Sequence, residues 1–495
     1  MGRNWWAWNR SPKKLQLPKP VKWEHRPAGA ILKTNCPSLR RGQAFSVSPG
    51  FCPAFGKPKG LPHPPWLLLT KIFRSQACKM IRVKETMHST RLAHLRAARF
   101  LMAAAILTQA APADEISERA HKLHFSSIVL DTHDDTTQRF FAADYDIGKR
   151  NPSGHVDIPR MREGGMNAIF FSIWIDGRIT GPPAIEKALD QIDAVRENVR
   201  NHSKDMLLAL TAADVRRAHA QGKIAALMGV EGGHMIGNDI RMVRIFADLG
   251  VRYMTLSHFY NDEWADSSTD KPVHNGLTDF GKNVVREMNR QGMLVDISHV
   301  SDKTFYDALE VSKAPLIASH SSCRALCNHV RDMSDDMIKA LAAKGGVIQI
   351  NFEKSFIDQA YKDASEKETG GVVQHMSDVT KSCNNDEACI SREMGKLEQK
   401  LVAEGKLPHV SWERIVDHID HAAKLVGADH VGLGSDFDGA NMPEGMEDCS
   451  KLPKITEALL RKGYSEADIR KILGENTLRI LEQAERVSKE LQAQQ

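Results

Sequence analysis

Acidic residues are nearly absent from the first 113 positions of this chain: only Glu24 and Glu85 stand against 20 Lys and Arg, a net charge of +18. Basic excess is absent from the remainder, where 47 basic residues face 60 acidic ones, a net of −13. The overall formal charge of +5 conceals these two parts. The acidic body lacks the basic footprint that phosphate backbones require, which excludes nucleic acid as its partner. Long apolar runs are missing as well. Phe100–Leu107 is too short for a bilayer, which takes roughly 20 residues, and the polar end Arg479–Gln495 offers no hydrophobic anchor tail. No transmembrane segment is expected in the mature chain.

Residues 1–86 lack any sustained period of 2 or 3.6, and they concentrate eleven Pro and five of the eight Trp. They read as a disordered extension, or as upstream DNA translated from a misplaced start codon; a basic nucleic-acid arm is the sharper alternative. From Met87 the pattern changes. A basic stretch (Arg91, Arg96, Arg99) precedes the apolar run to Leu107, and Ala111-Pro112-Ala113 precedes acidic Asp114-Glu115. Residues 87–113 therefore read as a signal peptide rather than an amphipathic helix, with translation starting at Met80 or Met87 and a mature chain beginning near Asp114. The expected location is periplasmic or extracellular.

Cysteine is sparse in that mature chain: Cys323, Cys327, Cys383, Cys389 and Cys449. Cys383 and Cys389 could close a small loop in an oxidising compartment. A cysteine-based zinc site is the rival, but a neighbouring His or second Cys pair is lacking. An odd count leaves at least one thiol unpaired.

Interdomain linkers are lacking after Asp114. Eight short β-rich apolar runs alternate with amphipathic segments: Ser127–Asp131, Ala168–Ile175, Ile224–Val230, Tyr253–Ser257, Met293–Ser298, Leu316–Ser319, Val347–Asn351 and His430–Gly434. Helical segments are predicted at Ile185–Val199, Thr278–Arg290, Lys303–Val311, Asp335–Ala343 and Trp412–Leu425, with glycine stops at Gly250, Gly292, Gly345 and Gly427. This order predicts a (β/α)₈ TIM barrel over 114–495; a doubly wound open sheet is the runner-up. The longest connection, about 353–408, is charged and partly helical, and reads as a lid over the barrel mouth.

Ionisable residues follow six of the eight runs: Asp131-Thr-His133-Asp134-Asp135, Glu231-Gly-Gly-His234, Ser257-His258, Asp296-Ile-Ser-His299, Ser319-His320 and Asp436-Phe-Asp438-Gly439. In a (β/α)₈ barrel those ends converge on the face where active sites form. Imidazole and carboxylate suit borderline metals such as zinc. In an extended strand His133 and Asp135 emerge on one side and could grip one ion. His299 and His320 could grip a second, and Glu231 could bridge both. Two such ions can hold a shared hydroxide and polarise a carbonyl. Each element alone is weak, since a strand-end His is more often a core residue and Asp436 could cap a helix. Their coincidence on one face carries the reading.

These motifs, in this order, resemble the membrane (renal) dipeptidase family, peptidase family M19, from about His124 to Leu481. The resemblance implies a (β/α)₈ fold with a binuclear zinc centre that hydrolyses dipeptides, including some with a C-terminal D-residue, and a homodimer. It implies that His133 and Asp135 ligate one zinc, that His299 and His320 ligate the other, and that Glu231 bridges. It implies that His258 contacts the substrate and the developing oxyanion, Arg331 binds the substrate carboxylate, and Asp436 transfers the proton and holds the amine. Two departures stand out. Phe356 occupies the place of a tyrosine in the animal members, and the C-terminal lipid anchor of those members has no counterpart. Another barrel amidohydrolase or lactamase is the rival among enzymes. Many of those carry His-x-His after strand one, against His133-x-Asp135 here. A non-catalytic metal-binding barrel is the rival outside enzymes.

Overall fold

The computed structural model describes residues 116–383 and 387–494; the segments expected to be an extension and a signal peptide, and the Cys389 side chain, lie outside what is described. Cys383 is disulfide-bonded, and Cys323, Cys327 and Cys449 are free and buried.

Nine parallel strands are described: β1 (Leu130–Asp134), β2 (Ala168–Trp174), β3 (Met206–Leu208), β4 (Ile224–Glu231), β5 (Val251–Thr255), β6 (Leu294–Asp296), β7 (Ile317–Ala318), β8 (Val347–Ile350) and β9 (Val431–Leu433). Eight close into a barrel in the order β2-β1-β9-β8-β7-β6-β5-β4, and pairing of β2 with β4 along Ala168–Trp174 completes the ring. The closed ring settles the architecture as a (β/α)₈ barrel against the open sheet. β3, which sequence periodicity does not predict, pairs with Ile224–Ala226 on the edge of β4 whose other end pairs with β5. Three residues are too few to show a period.

The first strand lies three residues later than the predicted Ser127–Asp131. Ser127 is held at the end of helix Glu118–Phe125 by donating its hydroxyl to the Leu123 carbonyl at 2.6 Å. The consequence is functional: His133 sits within β1 instead of beyond it.

Strands buried on both faces suit a parallel sheet wrapped by helices. Their side chains divide by parity. Ile169, Phe171, Ile173, Ala226, Met228 and Val230 join the apolar cluster shared with the surrounding helices. Ala168, Phe170, Ala225, Leu227, Tyr253 and Leu294 form a second cluster. Tyr253 belongs to the barrel interior, because its hydroxyl on β5 reaches His133 on β1, which is not a neighbouring strand. Gly229 makes room for it: a Cβ there would lie 2.0 Å from the Tyr253 ring.

Helices fall where the periodicity places them, for example Asp279–Gln291, Asp302–Val311 and Asp335–Ala343. Gly250 and Gly292 end two of them at φ of 112° and 70°, conformations that suit glycine. The connection after β8 is helical: Lys354–Ile357, Gln359–Thr369, Val372–Ser382 and Glu387–Ala403. Glu398 fastens the last of these to the first two, accepting from Lys354 Nζ at 2.7 Å and Tyr361 Oη at 2.8 Å. Among the described residues, no helix is long and apolar enough to cross a membrane.

Candidate metal centre and active site

Glu231 ends β4, and its carboxylate is the point of convergence. Oε1 lies 3.0 Å from His299 Nε2, 3.2 Å from His320 Nε2 and 3.5 Å from His258 Nε2. Oε2 lies 3.3 Å from His133 Nε2 and accepts from Ser172 Oγ at 3.1 Å. His299 Nε2 and His320 Nε2 are 2.9 Å apart. Four imidazoles, one in β1 and three just beyond β5, β6 and β7, thus aim ring nitrogens at one carboxylate.

The backbone is bent to achieve this. His299 and Asp436 adopt left-handed φ of 68° and 66°, which non-glycine residues rarely do and which cluster at functional sites. Beyond β9 the chain is laced to β1: Asp436 N–H donates to the His133 carbonyl, and Asp135 N–H to that of Phe437. This brings Asp436 beside His133 and Asp135. Gly439 keeps the space between the carboxylates open, since a Cβ there would lie 1.9 Å from Asp135 Oδ2 and 2.7 Å from Asp436 Oδ1.

Among the described residues, three overlapping groups have ligand atoms within 4.8 Å of one another: His133, Glu231 and His320; Glu231, His258 and His299; His133, Asp135 and Asp436. The groups do not divide into the two predicted pairs, because His320 also lies against His133 with ring centroids 3.7 Å apart. His133 Nε2, His299 Nδ1 and Asp135 Oδ1 are buried without a hydrogen-bond partner. Native proteins rarely leave such atoms unpaired. Imidazoles and carboxylates that converge with unpaired buried atoms fit divalent cations of borderline hardness.

The electrostatics are those of a crowded, dry site. Burial would lower His133, but Glu231, with Asp135 and Asp436, outweighs it and holds the imidazole at about 10. Burial and the neighbouring His133 bring His320 down to about 4, and burial with Arg331 depresses His299 strongly. Asp135 is pushed up by burial and by the Glu231 charge. Glu231 stays low despite burial because His133 and His258 stabilise its charge.

Buried groups behind the cage orient it. His133 Nδ1 meets Tyr253 Oη at 2.7 Å. His320 Nδ1 meets Ser319 Oγ at 2.8 Å, which donates to Asp296 Oδ2 at 2.6 Å. Asn351 donates to Asp436 Oδ2 at 3.0 Å. Arg331, 3 % exposed, donates to the His320 carbonyl at 3.2 Å and stacks its guanidinium over Phe356 at 5.3 Å. Its Nε and Nη1 have no protein partner.

All eight residues named from the sequence lie at this end of the barrel. Tyr253, Asp296, Ser319, Asn351 and Trp174 were not among them. Their signal is three-dimensional: Tyr253, Asp296, Asn351 and Trp174 each act through a neighbour on another strand or its following loop, and Ser319 links its neighbour His320 to Asp296.

A family described as membrane dipeptidase (peptidase family M19) matches residues 117–495. Dipeptidase tcpJ of Claviceps purpurea is 36% identical over 395 residues, covering 75% of this chain and 82% of that protein. The probable dipeptidase PvdM from Pseudomonas aeruginosa superposes with a TM-score of 0.63 at 26% identity, covering 75% of this chain and 98% of that one. A metallo peptidase from Rhodobacter sphaeroides, liganded with a phosphinate mimic of the dipeptide L-Ala-D-Ala, gives 0.60 at 27% identity, covering 72% of this chain and 99% of that one.

Proposed function

This chain belongs to the membrane dipeptidase family, peptidase family M19, and is a metallo-dipeptidase; from that premise we propose that it is a two-zinc enzyme, exported from the cell, that accepts dipeptides with an L- or D-residue at the C-terminus. The observation that carries the metal reading is the convergence of His133, His299 and His320 on Glu231. His133 and Asp135 would hold one ion, His299 and His320 the other, with Glu231 shared. Bound there, the ions would supply an activated water and polarise the scissile carbonyl.

The chain's own residues do the rest. Arg331 offers its unpaired Nε and Nη1 to the substrate carboxylate, and charge-assisted hydrogen bonds of this kind select short substrates. His258 Nε2, facing the Glu231 carboxylate, donates to the oxygen that gains charge as the carbonyl becomes tetrahedral. Asp436, held by Asn351 through Oδ2, keeps Oδ1 for the proton that passes to the leaving amine. The D-residue proposal draws on the L-Ala-D-Ala mimic bound by the Rhodobacter sphaeroides relative.

The test is hydrolysis of L-Ala-L-Ala, L-Ala-D-Ala and the matching tripeptides by residues 114–495. Cleavage of both dipeptides but neither tripeptide supports the reading. Inertness of zinc-loaded, folded protein towards every dipeptide would transfer the proposal to another amide or lactam.

A further inference from the structure

His258 sits in one of the groups that could ligate a metal, with Glu231 and His299. The contact on the far side of its ring decides otherwise. Trp174 ends β2, and its indole Nε1–H points at His258 Nδ1 at 3.2 Å. The rings meet edge to face, 5.7 Å apart at 68°. An indole nitrogen can only donate. Nδ1 of His258 must therefore accept, which leaves the ring's proton on Nε2. Metal ligation through Nε2 would need the opposite tautomer, with Nδ1–H pressed against the indole N–H.

We propose that Trp174 is a positioning residue that locks His258 in the Nε2–H tautomer, making it a hydrogen-bond donor to the tetrahedral oxygen and excluding it as a metal ligand. The inference rests on the dipeptidase reading for its catalytic consequence, but not for the tautomer itself. Trp174 is suited to the task because its backbone is fixed on both sides. Its N–H donates to Gln191 Oε1 at 2.8 Å, and its carbonyl accepts from Gln191 Nε2 at 2.6 Å and Gln138 Nε2 at 2.9 Å. It is also the register partner of Glu231 across the β2–β4 pair, which puts the indole beside the point where the imidazoles converge. The hydrogen bond that one ring nitrogen makes sets which nitrogen carries the proton, and a donor is what an oxyanion needs.

The test combines two readouts on the zinc-loaded enzyme. The first is the ¹⁵N spectrum of histidine-labelled protein, with His258 assigned by the loss of its signals in His258→Ala. The wild type is expected to show a protonated Nε2 and a bare Nδ1; a protonated Nδ1, or a signal of metal-bound Nε2, would overturn the proposal. The second is a double-mutant cycle. Trp174→Phe keeps the aromatic bulk and removes the donor, and is expected to lower kcat and the affinity for a phosphinate dipeptide mimic by about 10- to 100-fold, with KM and zinc content little changed. On a His258→Ala background the same change should cost less than about 2-fold, because Trp174 acts only through His258. An equal loss on both backgrounds would mark Trp174 as a merely structural residue. If the wild type cleaves no dipeptide, the functional reading fails, while the tautomer is still decided by the spectrum.

Discussion

Arg331 is the residue whose chemistry is most exposed to test. A guanidinium buried at 3 % exposure with two unpaired donors is waiting for an anion. Replacing it by Ala should raise KM for dipeptides by roughly 10- to 100-fold, the worth of about 1.5–3 kcal/mol for hydrogen bonds to a charged group. Steady-state kinetics with unchanged KM and kcat would remove Arg331 from substrate binding. His133 yields a second prediction. Held at about 10 by its carboxylate neighbours, it carries a proton at neutral pH in the metal-free protein, and ligation requires that proton to leave. Zinc binding at pH 7 should therefore release protons, and affinity should weaken as pH falls. Calorimetry in buffers of different ionisation enthalpy measures the number; none released would contradict it. The ligand types were legible in the sequence because His, Asp and Glu after six apolar runs have few other reasons to recur there. Trp174 and Tyr253 were not, because Trp and Tyr at such positions are ordinary barrel residues until the partner on another strand is known.

At the scale of elements, β4 is the strand on which the arrangement turns. It pairs with β2, β3 and β5, ends in Glu231, and passes Gly229 under the Tyr253 ring. Gly229→Ala would drive a methyl into that ring and displace the hydroxyl that holds His133. A loss of roughly 1–3 kcal/mol in stability is expected from such overpacking, together with weaker zinc binding. Unchanged denaturation and unchanged zinc affinity would show that the close approach is not needed. Helices were read from their periods and glycine stops with small boundary shifts. The first strand was misplaced because Ser127 looks like strand sequence but is used to finish a helix. β3 was missed because three residues carry no pattern.

Across the whole molecule, buried histidines outside the site couple folding to pH. His124, bonded to Thr456 Oγ1 and the Gly164 carbonyl, is lowered to about 4 by burial. His418 accepts from Cys323 N–H through Nδ1 and contacts the Ile357 carbonyl, and burial lowers it likewise to about 4. Both are neutral when folded and protonate near 6.5 when unfolded. The unfolded state thus binds more protons between about 6.5 and 4, so stability falls as pH drops through that window and is flat above it for these groups. At about 1.4 kcal/mol per pKa unit each histidine accounts for roughly 3 kcal/mol. Urea unfolding at pH 7.5 and 4.5 checks this on the wild type and on His124→Gln; equal stabilities at both pH values would contradict it. The barrel was legible at this scale because strand–helix alternation leaves few alternatives.

The most direct measurement is a zinc titration of metal-free residues 114–495 with L-Ala-D-Ala hydrolysis followed at each addition. A two-zinc enzyme is expected to show no activity without zinc and a rise that ends at two equivalents per chain. Full activity at one equivalent, or activity indifferent to metal, would contradict it.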